Sequence, residues 1–492
     1  MRKSSSIFYL VSSIVSGISG FILISMLTKN FLPEEYGYYS LIITTVSLAT
    51  TVLIGWISQS LIRFYEEFAN EQKGNYVINT IIFTTIIVNI IILLIIMLVV
   101  FFTKGSNIGD YIGNFLTVSF LFFVSESFYL ILGTILRAKN NSKLYSISVI
   151  LYTVFKLIIT IVYVMQHGKN ISSIIYYYSM SGVIVSILIF LTQIKNIRIS
   201  IKYFSTTILV DFFKYGIPLI GLSAMQWIMA SSDRYIIGIF RNSKEVGIYS
   251  LSYSLANNIF SILTTFLLLS AYPKIISSMN KHGKVGAAKS ISDQQRYYFL
   301  IIIPLFAGIT ALSKDLILYI SSSEYLEGRM TLIISALGMV IYGITFYYNK
   351  TWELSKDTKK IFLHALYSGV INILLNIILV PRYGYEAAAY TTLFAYIMYL
   401  FITVYRSNKE MKIPLKIRSI FKIVLSSLIM YISVYVYCEN VNVKILHLII
   451  SAIIGSVVYT ALLAILGEIS NEIKVIKTSI NKLIYKSNRY SK

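Results

Sequence analysis

Val77 to Phe102 reads VINTIIFTTIIVNIIILLIIMLVVFF, a run without a single charge. A hydrocarbon layer of about 30 Å is crossed by about 20 helical residues, and a backbone inside it must satisfy its own hydrogen bonds. A run of this length and polarity is therefore expected to be a membrane-crossing helix. Comparable runs recur along the chain, near 5–27, 38–62, 77–102, 112–136, 144–165, 171–191, 213–239, 246–270, 297–313, 331–349, 361–379, 384–405, 417–437 and 444–467. Between the ninth and tenth, ALSKDLILYISSSEYLEGRM has room for an outward-facing half-helix. Only 13% of the 492 residues are charged, about half the share of a soluble domain. Most of the chain cannot face water. The first run follows Arg2 and Lys3 but has no small-residue cleavage site, so we read it as a retained helix rather than a signal peptide.

The net charge of +22 would suit nucleic acid if it formed one patch. It does not. With the N-terminus placed in the cytoplasm, 32 of the 43 Lys and Arg fall on the inner side and nine on the outer. The last two, Lys156 and Arg234, lie inside helices. Such asymmetry is the positive-inside pattern, and it puts both termini in the cytoplasm of a plasma membrane, bacterial or archaeal. Topology accounts for the charge, with no nucleic acid partner.

EEYGYYSL at 34–41 returns as KEVGIYSL at 244–251, with Glu35, Gly37, Tyr39, Ser40 and Leu41 repeated at an offset of 210. The copies are expected in the outward loops between spans one and two and between spans seven and eight. An even number of spans separates them, so the halves run in the same direction, as in transporters built from parallel repeats. Gly would allow a tight loop there, and Tyr would suit the membrane interface. The expected organisation is an all-α polytopic protein with a six-helix bundle at 1–192, a cytoplasmic linker at 193–212, a second six-helix bundle at 213–406, and two further helices with a basic tail at 407–492.

Several chemistries are excluded. GKVGAAKS (Gly283–Ser290) approaches a phosphate-binding loop, but Ala288 stands where the second Gly is needed and no strand precedes it. The adjacent Glu34 and Glu35 do not make a catalytic pair, and no Ser/His/Asp set or H-E-x-x-H is present. One Cys and four His rule out a disulfide framework and any metal cluster of recognisable spacing. We expect no enzyme, no metal and no cofactor. Transport remains.

NILLNIILVPRYGYEAAAYTT (Asn372–Thr392) resembles the signature of the polysaccharide-repeat flippases, in which two Asn four apart precede Pro, an aromatic–Gly pair and an Ala-rich helix start. SDRYIIGIFRNSKEVGIYSL (Ser232–Leu251) and SMLTKNFLPEEYGYYSL (Ser25–Leu41) resemble two further helix junctions of that family. The likeness runs through the whole chain and points to the Wzx-type branch of the multidrug/oligosaccharidyl-lipid/polysaccharide exporter superfamily. It implies two bundles around a central cavity. It also implies a polyprenyl-diphosphate oligosaccharide moved to the outer leaflet by alternating access, for capsule or another envelope polysaccharide. Membrane lipids, a polysaccharide polymerase and glycosyltransferases are the implied partners. Glu386 departs from the family's usual small residue and puts close packing at that helix start in question.

A diphosphate calls for cations inside the membrane, where each costs about 2.5–3.5 kcal/mol at mid-helix. Lys156 and Glu126 lie on neighbouring spans at one depth, within reach of each other. They are read either as a helix-stitching ion pair or as an anion site, with Glu126 tuning it or taking up a coupling proton. Asp233 and Arg234 are read as an interfacial pair or an outer-gate contact, and Arg63 as a topology charge or an entrance ligand for diphosphate. Asn372 and Asn376 share a helix face and are expected to bond a neighbouring helix. Pro218 and Pro304 are candidate bending points. Coupling could come from a proton, sodium or the membrane potential, the last supplying about 2.3 kcal/mol per charge per 100 mV. The rival readings are a cation-coupled multidrug exporter, a peptidoglycan-precursor flippase and a non-transporting scaffold.

Overall fold

The computed structural model describes residues 3–71, 73–166, 168, 170–193, 199–438, 445–470 and 472. Part of the expected linker (194–198) and all but the start of the expected basic tail lie outside them. Fifteen α-helices and no strand occur among the described residues: α1 (Lys3–Asn30), α2 (Pro33–Ala49), α3 (Gly55–Asn70), α4 (Gly74–Thr103), α5 (Asn107–Ala138), α6 (Ser142–Met165), α7 (Ile171–Gln193), α8 (Thr206–Phe240), α9 (Ser243–Ala311), α10 (Ser313–Ile320), α11 (Arg329–Leu354), α12 (Thr358–Tyr383), α13 (Tyr385–Glu410), α14 (Ile417–Cys438) and α15 (Ile445–Ile465). Twelve spans are long and apolar enough to cross a membrane, or thirteen when the bent α8 is included. One of the twelve is α9, which breaks at Gly283 (φ +61°) and so holds the two expected spans 246–270 and 297–313. Each of the fourteen expected spans falls on a helix, and the chain is a multi-pass membrane protein. The expected half-helix is α10.

Local chemistry explains the helix ends. Ser106 and Asn141 cap α5 and α6 by accepting hydrogen bonds from the Gly109 and Leu144 amides. Pro33 opens α2, where Glu35 accepts the Leu32 amide. α4 leaves Ile91, Leu94, Ile95 and Leu98 exposed, a face suited to lipid. Its other side is buried and bonds to α5 through Asn89 Nδ2 and Ser127 Oγ at 3.1 Å.

The chain divides into two compact units. One comprises Met1–Ser252, Ile320–Gly328 and Phe362–Ala395, the other Tyr253–Tyr319, Arg329–Ile361 and Tyr396–Lys492. Within the first unit α8, which follows the expected linker, packs on α3, where Ser60 Oγ donates to the Phe212 carbonyl at 2.8 Å. In the second unit, Tyr298 on α9 donates to the Val340 carbonyl of α11, and Arg296 clamps Glu468 at 2.7 Å and Glu472 at 2.6 Å.

The repeated octapeptides are the first turns of α2 and α9, not loops. They pack on each other reciprocally. A Cβ on Gly37 would lie 1.8 Å from the Ser243 carbonyl oxygen, and one on Gly247 would lie 1.8 Å from the Pro33 carbonyl oxygen. Pro33 and Ser243 are themselves 210 residues apart, and Ser40 Oγ donates to Ser250 Oγ at 2.7 Å. Equivalent residues thus meet around a local two-fold, an isologous contact within one chain. The glycines are needed for backbone approach between helices, as at small-residue membrane interfaces, and not for a loop conformation. Both have ordinary helical backbones.

Candidate functional site

The first unit encloses a cavity of about 620 Å³. Its walls come from α1, α2, α3, α5, α6, α7 and α8. Between α2 and α3, residues Thr50–Ile54 form one π-helical turn, closed by the Gly55 amide bonding back to the Thr50 carbonyl. Such turns interrupt the regular ladder and re-aim side chains, often at functional sites. Thr50 and Thr51 line the cavity, with Gln59 one turn further on.

Lys156 and Glu126 form the charged wall. Lys156 Nζ lies 3.1 Å from Glu126 Oε1, which also accepts a hydrogen bond from the Tyr152 hydroxyl. The ammonium sits 4.0 Å from the ring centre of Tyr152, 5.0 Å from Phe122 and 5.4 Å from Tyr178, so aromatic faces share in stabilising it. Side-chain exposures of 17% and 24% show that the pair is covered but not sealed. Stitching and cavity-lining are therefore not alternatives here, because the same pair does both.

The sequence reading missed Arg137, counted there only as a topology charge. It lines the same cavity from the end of α5. Its Nη2 donates to Thr134 Oγ1 at 3.0 Å and its guanidinium lies over Tyr145, but its buried Nε has no partner among the described residues. A guanidinium lining a cavity supplies a fixed positive charge and several N–H donors suited to an anion. The sequence signal was its place in helical register with Glu126, three turns away on the same helix.

The other expected site residues lie elsewhere. Arg63 does not line the cavity; it is 58% exposed, 4.0 Å from Glu67 and against the Phe64 ring. Arg234 is buried, donating to Ser250 Oγ at 3.2 Å and the Ala230 carbonyl at 3.1 Å, so it braces the repeat junction. Asp233 is fully enclosed. Its carboxylate accepts from Tyr249 at 2.5 Å, Asn376 at 2.6 Å and Thr392 at 2.7 Å. Asn376 Oδ1 accepts from Thr391, and Asn372 Nδ2 donates to Thr392 at 3.1 Å, while Asn372 Oδ1 has no partner among the described residues. The two Asn do tie helices together, though through a carboxylate that the sequence did not connect to them. Glu386 is exposed while Ala387, Ala388 and Ala389 are buried, so close packing survives there. Pro218 is interior to α8, one turn before a 43° bend.

The fold, all-helical among the described residues and with many apolar spans, is shared with solved structures. The lipid II flippase MurJ, in an inward closed conformation, superposes with a TM-score of 0.77 over 95% of this chain and all of that one, at 19% identity. An inward-facing multidrug resistance MATE family transporter of the MOP superfamily gives 0.53, over 81% of this chain and 94% of that one, at 14% identity. A probable low-salt glycan biosynthesis flippase of Haloferax volcanii, Agl15, is 23% identical over 231 residues, 47% of this chain and 49% of the relative. The chain thus spans about half the length of that curated relative. The model of the polysaccharide biosynthesis protein family matches residues 3–279, over half the chain, and the chain belongs to that family.

Proposed function

We propose that this protein is a flippase that moves a polyprenyl-diphosphate-linked oligosaccharide from the cytoplasmic to the outer leaflet by alternating access, feeding capsule or another envelope polysaccharide. The observation that carries this reading is the composition of the cavity: among the described residues that line it, Lys156 and Arg137 are the cations and Glu126 the one carboxylate. Two cations against one carboxylate favour an anionic headgroup, and guanidinium suits phosphate oxygens by paired hydrogen bonds. A cation-coupled drug exporter would need the opposite balance. Tyr39, half-buried in the same wall, offers a ring on which a sugar can stack. Membrane lipid would hold the polyprenyl tail outside the cavity, and a polymerase and glycosyltransferases would act on either side of the step.

Coupling belongs to the same proposal. Asp233, with Asn372 Oδ1 in its network unpartnered among the described residues, is the group we assign to a coupling proton or sodium ion. The membrane potential would add to it, because two negative charges move outward. The Lys and Arg distribution favours cytoplasmic termini, and the proposal takes the membrane to be a bacterial or archaeal plasma membrane.

The test is transport of a labelled polyprenyl-diphosphate oligosaccharide by purified protein in sealed vesicles. Movement above empty vesicles that is lost in Lys156→Met supports the proposal. Absence of movement with the source cell's own carrier, or full activity in Lys156→Met, sinks it. The fold likeness to a lipid II flippase favours a second reading as a peptidoglycan-precursor flippase, which competition between the two lipid substrates distinguishes.

A further inference from the structure

Far from that cavity in sequence, the second unit gathers three groups with metal-ligand chemistry. Asp315 lies in the first turn of α10, Cys438 is the last residue of α14, and His447 lies in the first turn of α15. One ligand atom from each falls within 4.8 Å of the other two. His447 Nε2 is 3.3 Å from Asp315 Oδ2. His447 is 2% exposed, its ring stacked on Tyr437 at 5.2 Å, and its Nδ1 has no partner among the described residues. The spacing 315…438…447 matches no sequence motif, which is why composition and spacing gave no reason to expect a metal. The fold supplies what the spacing does not.

We propose that Asp315, Cys438 and His447 form a binding site for a divalent transition-metal ion, best suited to Zn2+. A thiolate, an imidazole and a carboxylate together are a borderline-soft donor set, which favours zinc over calcium or magnesium. Zinc distances of about 2.0–2.3 Å put tetrahedral ligand atoms about 3.3–3.6 Å apart, so a closure of about 1–1.5 Å at the widest pair completes three corners of a tetrahedron. A water molecule would supply the fourth ligand. Binding replaces the Cys438 thiol proton with the metal, and that proton leaves to solvent. Because the ligands come from α10, α14 and α15, the ion would pin the short α10 to the α14–α15 hairpin. The role is structural, separate from the cation cavity of the first unit.

The chain contains one cysteine, so a thiolate–metal signal can come from nowhere else. The experiment titrates the purified full chain in detergent with cobalt(II) chloride as the spectroscopic stand-in, then competes it off with zinc chloride. One equivalent of cobalt is expected, giving tetrahedral d–d bands and a thiolate-to-cobalt charge-transfer band, both erased by zinc. Cys438→Ser should remove the charge-transfer band, and His447→Gln should weaken binding at least tenfold, in samples that elute as the native protein does. Zinc should raise the Tm of the native chain by several degrees and leave both variants unmoved. No charge-transfer band in the native chain overturns the site, as does equal cobalt binding by native and variant proteins. If His447→Gln does not fold, Cys438→Ser and the zinc-dependent Tm decide the matter alone.

Discussion

Lys156–Glu126 and Asp233–Arg234 are both charge pairs set inside spans of the first unit, yet the fold treats them in opposite ways. Lys156 and Glu126 meet each other at 3.1 Å and keep part of their surface in a cavity. Asp233 is enclosed and is satisfied by three neutral donors on α9, α12 and α13, while adjacent Arg234 turns to the repeat junction. The difference is one of hydration. A carboxylate with three hydrogen bonds can remain buried at a tolerable cost. A Lys that touches one acceptor and three ring faces among the described residues retains capacity for another anion. The Asp233 carboxylate is enclosed by its partners, whereas the Lys156 pair is open to a cavity.

Breaking the enclosed cluster should have the largest effect. Asp233→Ala strands three buried donors, each worth about 1–3 kcal/mol, so a loss of about 3 kcal/mol or more is expected in thermal unfolding. An unchanged Tm would show that the cluster is not what holds α8 to α12. Asp233→Asn retains an acceptor and should fold; if Asp233 carries the coupling ion, this variant transports without responding to an ion gradient.

Lys156→Met reverses the pattern. It should unfold within about 1 kcal/mol of the native protein, because the partly hydrated Glu126 can keep its Tyr152 bond. Transport should fall about a hundredfold, roughly 2.7 kcal/mol in barrier terms. Equal losses of stability and transport would erase the contrast between the two pairs. Gly37→Ala or Gly247→Ala, beside Arg234 at the repeat junction, forces backbone against backbone and should cost about 1–3 kcal/mol. Similar Tm shifts in the two variants would express the local two-fold; a silent variant would refute the close approach.

Smaller effects sharpen the comparison further. Arg137→Gln should leave Tm alone and slow transport about tenfold, since it removes one of the two cations lining the cavity. Arg63→Ala should change neither by more than about 0.5 kcal/mol, as expected of an exposed pair. A transport defect in Arg63→Ala with normal Tm would restore it to the substrate path.

Much of the fold was legible because membrane spans are local in sequence: each needs only length, apolarity and internal backbone bonding. The antiparallel α5–α6 hairpin was legible for the same reason, since helical rise fixes depth, and it brought Lys156 to Glu126. Arg137 was not, because an Arg at a helix end looks like topology until the walls around it are known. The repeat was seen, but its glycines were assigned to loops; only packing shows that Gly37 and Gly247 face each other's helix backbone.

From the sequence alone came the spans, the charge asymmetry, the doubled octapeptide and the family likeness, all properties of contiguous residues. Tertiary structure alone decided which charges share a cavity, which carboxylate the paired asparagines serve, and that Asp315, Cys438 and His447 meet. Those outcomes depend on which faces of distant helices are pressed together, and a pattern of apolar residues specifies a buried face without naming the neighbour that will cover it.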